Sequence, residues 1–81
     1  MMIRVLLFAS LADRAGTGSE ELAIKTPATV TDLWEQLVAM HPALGELSYR
    51  PMVACDMEYA GWERDLTGVR EVAFLPPVSG G

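Results

Sequence analysis

The amino-acid sequence predicts an α+β fold, one mixed sheet with one main helix packed across one face. Three observations carry this. The elements read in the order β, β, α, β, a further short β, and β. The two most apolar strand candidates are the first and the last, as expected of strands that lie centrally in a small sheet. Only one segment has the length, apolar stripe and end signals of a full helix. At 81 residues the chain holds one domain around one core. Its apolar fraction of 51% fills such a core and argues against disorder.

The first strand is "IRVLLFA", residues 3–9. It is β-branched at Ile3 and Val5 and apolar on both faces from Leu6 onward, the pattern of a strand that is central or covered on both sides. "ASLADRAG" places Leu11, Ala12 and Ala15 at helical spacing before a Gly16 stop, which predicts a short helical turn. Turn signals at Gly16 and Gly18 lead into a short strand, "EELAIK". It puts Leu22 and Ile24 on one face and is broken at Pro27. "TVTDLWEQLVAMHP" is the main helix. Thr29 is a good N-cap, and Asp32 at the third helical position places its charge at the positive helix end. Val30, Leu33, Leu37 and Val38 form one apolar stripe, Trp34 flanks it, and Met40 lies off it. His41 precedes Pro42, where helical geometry is disfavoured, so the helix ends there.

"PALGELSYRP" reads as a loop. "MVACD" is a short strand with Met52 and Ala54 on one face and Val53 and Cys55 on the other. "MEYAGWERDLTG" is turn-rich, with one more short strand around Tyr59. "REVAFLP" is the last strand, Val72 and Phe74 sharing one face and Ala73 and Leu75 the other. Placing the first and last strands side by side, with the helix across one face, gives a β-grasp, or ubiquitin-like, roll. A ferredoxin-like sandwich is the alternative. It wants a second full helix, which "PALGELSY" is too short and too broken to supply. The expected division is a body at residues 1–75 and a flexible tail at 76–81.

Composition narrows the function classes. Eleven acidic residues against six basic ones give a net charge of -5. The basic residues Arg4, Arg14, Lys25, Arg50, Arg64 and Arg70 are scattered, so a nucleic-acid partner is not expected. An acidic surface suits docking on a basic partner, or simply solubility. No run of 18 apolar residues exists, so no membrane span is expected. "MMIRVLLFASLA" carries one Arg and alternates like a strand, and it reads as structure rather than a targeting segment. The single Cys55 cannot pair within the chain, which fits a reducing, cytoplasmic setting. One His and one Cys cannot build a zinc site. So short a chain has no room for a large enclosed cavity and is not expected to be an enzyme on its own. Cys55 in an apolar strand reads as an inert core residue, and His41 as a helix-end residue near the negative dipole end. The pairs Asp56 with Glu58 and Glu63 with Asp65 read as solvated loop charges. Trp34 and Trp62 read as core or rim packing, with an interface role the alternative.

The ending "EVAFLPPVSGG" is the informative stretch. Pro76 and Pro77 lack an N–H and have a fixed φ, so they cannot extend a strand ladder. They favour extended geometry that points away from the body. Val78, Ser79, Gly80 and Gly81 then span at most about 13 Å, the depth of a cleft in another protein. Glycine has no Cβ, so a Gly-Gly end threads a channel too narrow for any side chain. It also presents an unhindered carboxylate. Activated as an acyl-adenylate, that carboxylate becomes electrophilic, and a sulfur or amine nucleophile can take it. Leu75 and Phe74, on opposite faces at the root of the tail, put an apolar anchor beside it.

The ending "EVAFLPPVSGG", the opening "IRVLLFASLADRAG" and the helix start "TVTDLWEQL" resemble the small, sulfur-carrying subunits of molybdopterin synthase. The resemblance covers the whole chain, and "F-x-P-P-V-S-G-G" at Phe74–Gly81 is its most specific part. The related thiamine sulfur carriers are shorter and usually lack the aromatic–Pro-Pro stretch. The resemblance implies a β-grasp fold. It also implies that a ubiquitin-activating-like adenylyltransferase uses ATP to adenylate Gly81, and that sulfur transfer then makes a thiocarboxylate there. The tail would insert into the large catalytic subunit of molybdopterin synthase, within a heterotetramer, and pass the sulfur to cyclic pyranopterin monophosphate. No cofactor is expected to be bound by the chain itself. On this resemblance Gly81 is the reactive terminus and Gly80 the slim residue behind it. Pro76, Pro77, Val78 and Ser79 form the inserted tail, and Phe74 is the aromatic beside the partner surface. The sequence departs from the family at "GVREV", where Val69 replaces a turn glycine and Gly68 comes one residue early. It departs again at Ala12, where the family commonly carries an Arg that Arg14 here could replace. A carrier in another pathway (thiamine, tungsten cofactor or tRNA thiolation) and a ubiquitin-like interaction module with an unreactive tail remain the alternatives.

Overall fold

The structure is a computed structural model and describes residues 1–77. Its elements are β1 (Met2–Leu7), α1 (Ser10–Ala15), β2 (Ser19–Ala23), α2 (Val30–Met40), a 3₁₀ helix (Pro42–Glu46), β3 (Met52–Cys55), β4 (Glu58–Ala60) and β5 (Glu71–Leu75). The five strands form one sheet in the order β2-β1-β5-β3-β4. β1 and β5 pair in parallel, Arg4 opposite Glu71 through Leu7 opposite Phe74. β2 runs antiparallel to β1, and β3 runs antiparallel to both β4 and β5. This is the β-grasp roll expected from the sequence, with the first and last strands at its centre.

Alternation along the strands builds the core. Ile3, Val5 and Leu7 of β1, Leu22 of β2, Val53 and Cys55 of β3, and Val72 and Phe74 of β5 are all buried. They meet Val30, Leu33 and Leu37 from α2 in one cluster, which Leu11, Leu44 and Leu66 complete. The start of α2 carries a full capping box: the Thr29 N–H donates to Asp32 Oδ2 at 2.8 Å, and the Asp32 N–H donates to Thr29 Oγ1 at 3.3 Å. Two orphan backbone donors are thereby satisfied.

One expectation needs correction and two are resolved. Of the two readings offered for β1, central or covered on both sides, the structure takes the first. With a single helical layer, its outward residue Leu6 is half-buried and Phe8, just past the strand, is 44% exposed. The "PALGELSYRP" stretch is not all loop, because the 3₁₀ helix within it drives Leu44 into the core. The "GVREV" turn closes on Gly68, which takes φ 85, the left-handed region. Val69 then plugs the core, its N–H donating to the Leu66 carbonyl at 2.9 Å.

Candidate functional site: the root of the C-terminal tail

β5 is gripped on both sides at its end. Leu7 lies opposite Phe74 on one flank and Met52 opposite Leu75 on the other. The Phe8 N–H donates to the Phe74 carbonyl at 3.3 Å. Pro76 and Pro77 follow with no strand pairing, Pro76 half-buried and Pro77 exposed. A ladder that needs an N–H at each step stops where two successive residues have none. The tail thus starts from a fixed point in the middle of the sheet. Val78, Ser79, Gly80 and Gly81 lie outside the described residues.

Phe74 is fully buried, with 0% exposure. Its ring centroid lies 4.9 Å from that of Trp34 and 5.8 Å from that of Trp62, and the two indoles meet edge to face at 5.7 Å. The Arg50 guanidinium sits 4.5 Å from the Trp62 ring centroid, a cation–π contact that closes the stack. The expectation that Phe74 stands beside a partner surface does not survive this geometry. Register turns its side chain toward α2, so it anchors the root of the tail from inside. Trp34 and Trp62 pack in the same stack.

Leu75 points the other way, half-buried, onto the sheet face that carries no helix. There Leu6, Phe8, Ala54, Met57, Tyr59, Ala73 and Leu75 line a shallow groove with Glu71 at its border. Met57 is 90% and Tyr59 72% exposed. Solvent-facing strand positions are ordinarily polar, so an apolar row here makes this face a candidate docking surface. Of these residues only Leu75 was expected to serve as an apolar anchor. The signal was present in the outward positions of three strands, Leu6, Ala73 and Ala54, which are apolar where alternation calls for polar residues.

The titratable groups do structural work. Burial pushes the Cys55 thiol up, with Arg64 lowering it and Asp56 raising it to a lesser degree. A buried, protonated thiol is a poor nucleophile. Asp56 is more than a solvated loop charge. With φ 48, its Oδ1 accepts the backbone N–H groups of Arg70 (3.1 Å) and Glu71 (3.0 Å), fixing the entry to β5. At Asp65, the Thr67 N–H donated to Oδ1 at 2.7 Å, with the Thr67 side chain and Arg64 adding to it, holds the carboxyl below its ordinary value. His41 caps α2 as expected, and its Nε2 lies 2.7 Å from Glu20 Oε1 on β2. Arg14 donates to the Ala43 carbonyl at 3.2 Å, tying α1 to the 3₁₀ helix. Among the described residues no three His, Cys, Asp or Glu side chains gather to hold a metal. No described helix is long and apolar enough to cross a membrane.

A β-grasp body with a proline-led tail rooted in its central strand defines the class: a small ubiquitin-like protein. Within that class the chain belongs to the ThiS family, which matches residues 5–81. It is 35% identical to the molybdopterin synthase sulfur carrier subunit of Escherichia coli, covering 99% of this chain and 100% of that protein. It is 37% identical to small archaeal modifier protein 1 of Haloferax volcanii, over 93% and 95% of the two chains. The crystal structure of that archaeal protein, SAMP1, superposes with a TM-score of 0.82 at 35% identity, over 100% of both chains.

Proposed function

We propose that the chain is a sulfur carrier for molybdenum-cofactor synthesis, acting as the substrate-like small subunit of a synthase. The terminal carboxylate of Gly81 attacks ATP on an adenylyltransferase, releasing pyrophosphate and forming an acyl-adenylate. A sulfur nucleophile displaces AMP and leaves a thiocarboxylate. The thiocarboxylate enters a large catalytic subunit, where the sulfur passes to cyclic pyranopterin monophosphate. One observation carries the reading: a Pro-Pro-Val-Ser-Gly-Gly tail begins at a strand end pinned between two neighbours and locked from below by Phe74. Such a root limits where the reactive carbon can go, so docking the body delivers the terminus. General acids and bases are left to the partners, in keeping with described carboxylates that serve as caps and turn acceptors. The apolar groove beside Leu75 is the docking face, and the net charge of -5 suits a partner with a basic rim.

The test is intact mass after incubation with ATP, an activating enzyme and a sulfur source. One carboxylate oxygen should be exchanged for sulfur. A chain ending at Gly80 should keep its fold and lose all sulfur transfer; molybdopterin formation by that variant would overturn the reading. A second reading, a modifier whose activated glycine is passed to an amine, draws on the similarity to the Haloferax protein. Its signature would be an amide at Gly81 in place of a thiocarboxylate.

A further inference from the structure

Among the described residues, three that are not glycine take a positive φ: Ala9 at 53°, Asp56 at 48° and Met57 at 72°. The left-handed side of backbone space crowds any Cβ, and only asparagine and aspartate among the others visit it readily. Where such a turn lies after α1 or before β5, the chain uses glycine, Gly16 and Gly68. The exceptions gather around one surface. Ala9 follows Phe8, which lines the apolar groove, and Met57 lines the groove itself. Backbone strain held by a residue with a side chain clusters at sites of function.

Met57 is the sharpest case. Cys55 pairs with Glu58, so Asp56 and Met57 are the two-residue connection between β3 and β4. Positive φ at both residues is the signature of the type I′ turn, whose preferred sequence is Asn or Asp followed by Gly. Asp56 suits the first place, where its carboxylate also accepts the Arg70 and Glu71 N–H groups. The second place, which glycine would fill without strain, holds a methionine. The fold gains no packing from it: Met57 is 90% exposed and lies outside the core cluster. What the side chain does offer is reach, since a thioether is long, unbranched and polarizable and adapts to an irregular apolar pocket.

We propose that Met57 is a docking anchor, held out by its strained turn to enter an apolar pocket of the large catalytic subunit. This deepens the proposed function and rests on it. The occupant follows from position. Leu75, the root of the tail, lines the same groove as Met57, so a partner that receives the tail also meets this side chain. Glu71 is the one charged residue lining the groove, and the chain carries a net charge of -5. The receiving pocket is therefore apolar at its floor and basic at its rim. Fold stability and partner affinity are opposed at this residue, because a substitution that relaxes the turn also removes the anchor.

The experiment measures thermal midpoints, and affinity for the large catalytic subunit by titration calorimetry, in full-length Met57→Gly, Met57→Asn and Met57→Leu. Glycine and asparagine both tolerate the left-handed backbone. Each should raise the midpoint by a few degrees. Each should also weaken binding at least about tenfold, which is about 1.4 kcal/mol. Met57→Leu keeps an apolar side chain on the strained turn and should keep most of the affinity without raising the midpoint. If Met57→Gly and Met57→Asn bind as the unaltered chain does while Phe8→Asp loses affinity, the groove docks without Met57 and this inference alone is overturned. A lowered midpoint in both variants would overturn it too, since the methionine would then serve the fold. No binding by the unaltered chain, or full affinity in Phe8→Asp as well, would overturn the docking face of the proposed function and this inference with it.

Discussion

Phe74 fixes the tail without touching what the tail would meet. Its ring fills the space between Trp34, Trp62 and the sheet, so truncation removes packing that neighbours cannot recover. Phe74→Ala should cost about 3–5 kcal/mol, a large share of the stability of a domain this size, and denaturant unfolding would read it directly. Phe74→Leu should cost less and retain sulfur transfer. Asp65 carries a pH signature. Its carboxyl is held below the ordinary value by the Thr67 N–H, so its folded-state pKa is depressed. A depressed carboxylate contributes stability above its unfolded pKa and loses it as pH falls through the folded one. Thermal midpoints of the protein and Asp65→Asn should therefore differ at neutral pH and converge in acid. At this scale the sequence was partly legible. The inertness of Cys55 followed from its apolar strand. The cap made by Asp56 and the contact between His41 and Glu20 did not, because each joins residues 14 to 21 positions apart, where no local pattern reaches.

Secondary elements were far more legible, because each is written in short-range chemistry. Period-two alternation placed Val72 and Phe74 opposite Ala73 and Leu75, and the structure buries the first pair. The main helix was marked at both ends, by Thr29 with Asp32 and by His41 before Pro42. The 3₁₀ helix escaped because its single turn, Pro42–Glu46, carries no repeating stripe. The two readings of β1, central or covered on both sides, were not separable, because an apolar outward face looks the same in sequence whether a second layer or a partner covers it. The capping box gives the element-scale prediction. Thr29→Ala removes the hydroxyl that accepts the Asp32 N–H and should cost about 1 kcal/mol. For a domain of this size that lowers the midpoint by about 4–8 °C, measurable by circular dichroism. Because α2 packs on the face away from the groove, partner affinity should be unchanged at temperatures where the variant is folded.

At the scale of the whole molecule, the sheet divides labour between its faces. The inner face, with α2, supplies the core that holds β5 in place. The outer face carries apolar residues that the domain does not need for its own folding, since Phe8 is 44% exposed and Met57 90% exposed. Apolar surface left in water on a small acidic protein is a cost that a partner recovers. The tail root lies at the edge of this groove through Leu75, so on the proposed function covering the groove and inserting the tail would be one event. A charge in the groove should then weaken docking without loosening the fold. Phe8→Asp places a carboxylate where the partner would exclude water. Affinity for the large synthase subunit, measured by titration calorimetry, should fall at least about tenfold, which is about 1.4 kcal/mol. Met40→Asp is the control. Met40 has a similar exposure, 47%, but sits at the end of α2 away from the groove, and its substitution should leave affinity unchanged. Equal losses in both variants would mean that added negative charge, and not the groove, governs docking. No loss in either would place the partner on another face, and the groove would then have no part in delivering Gly81.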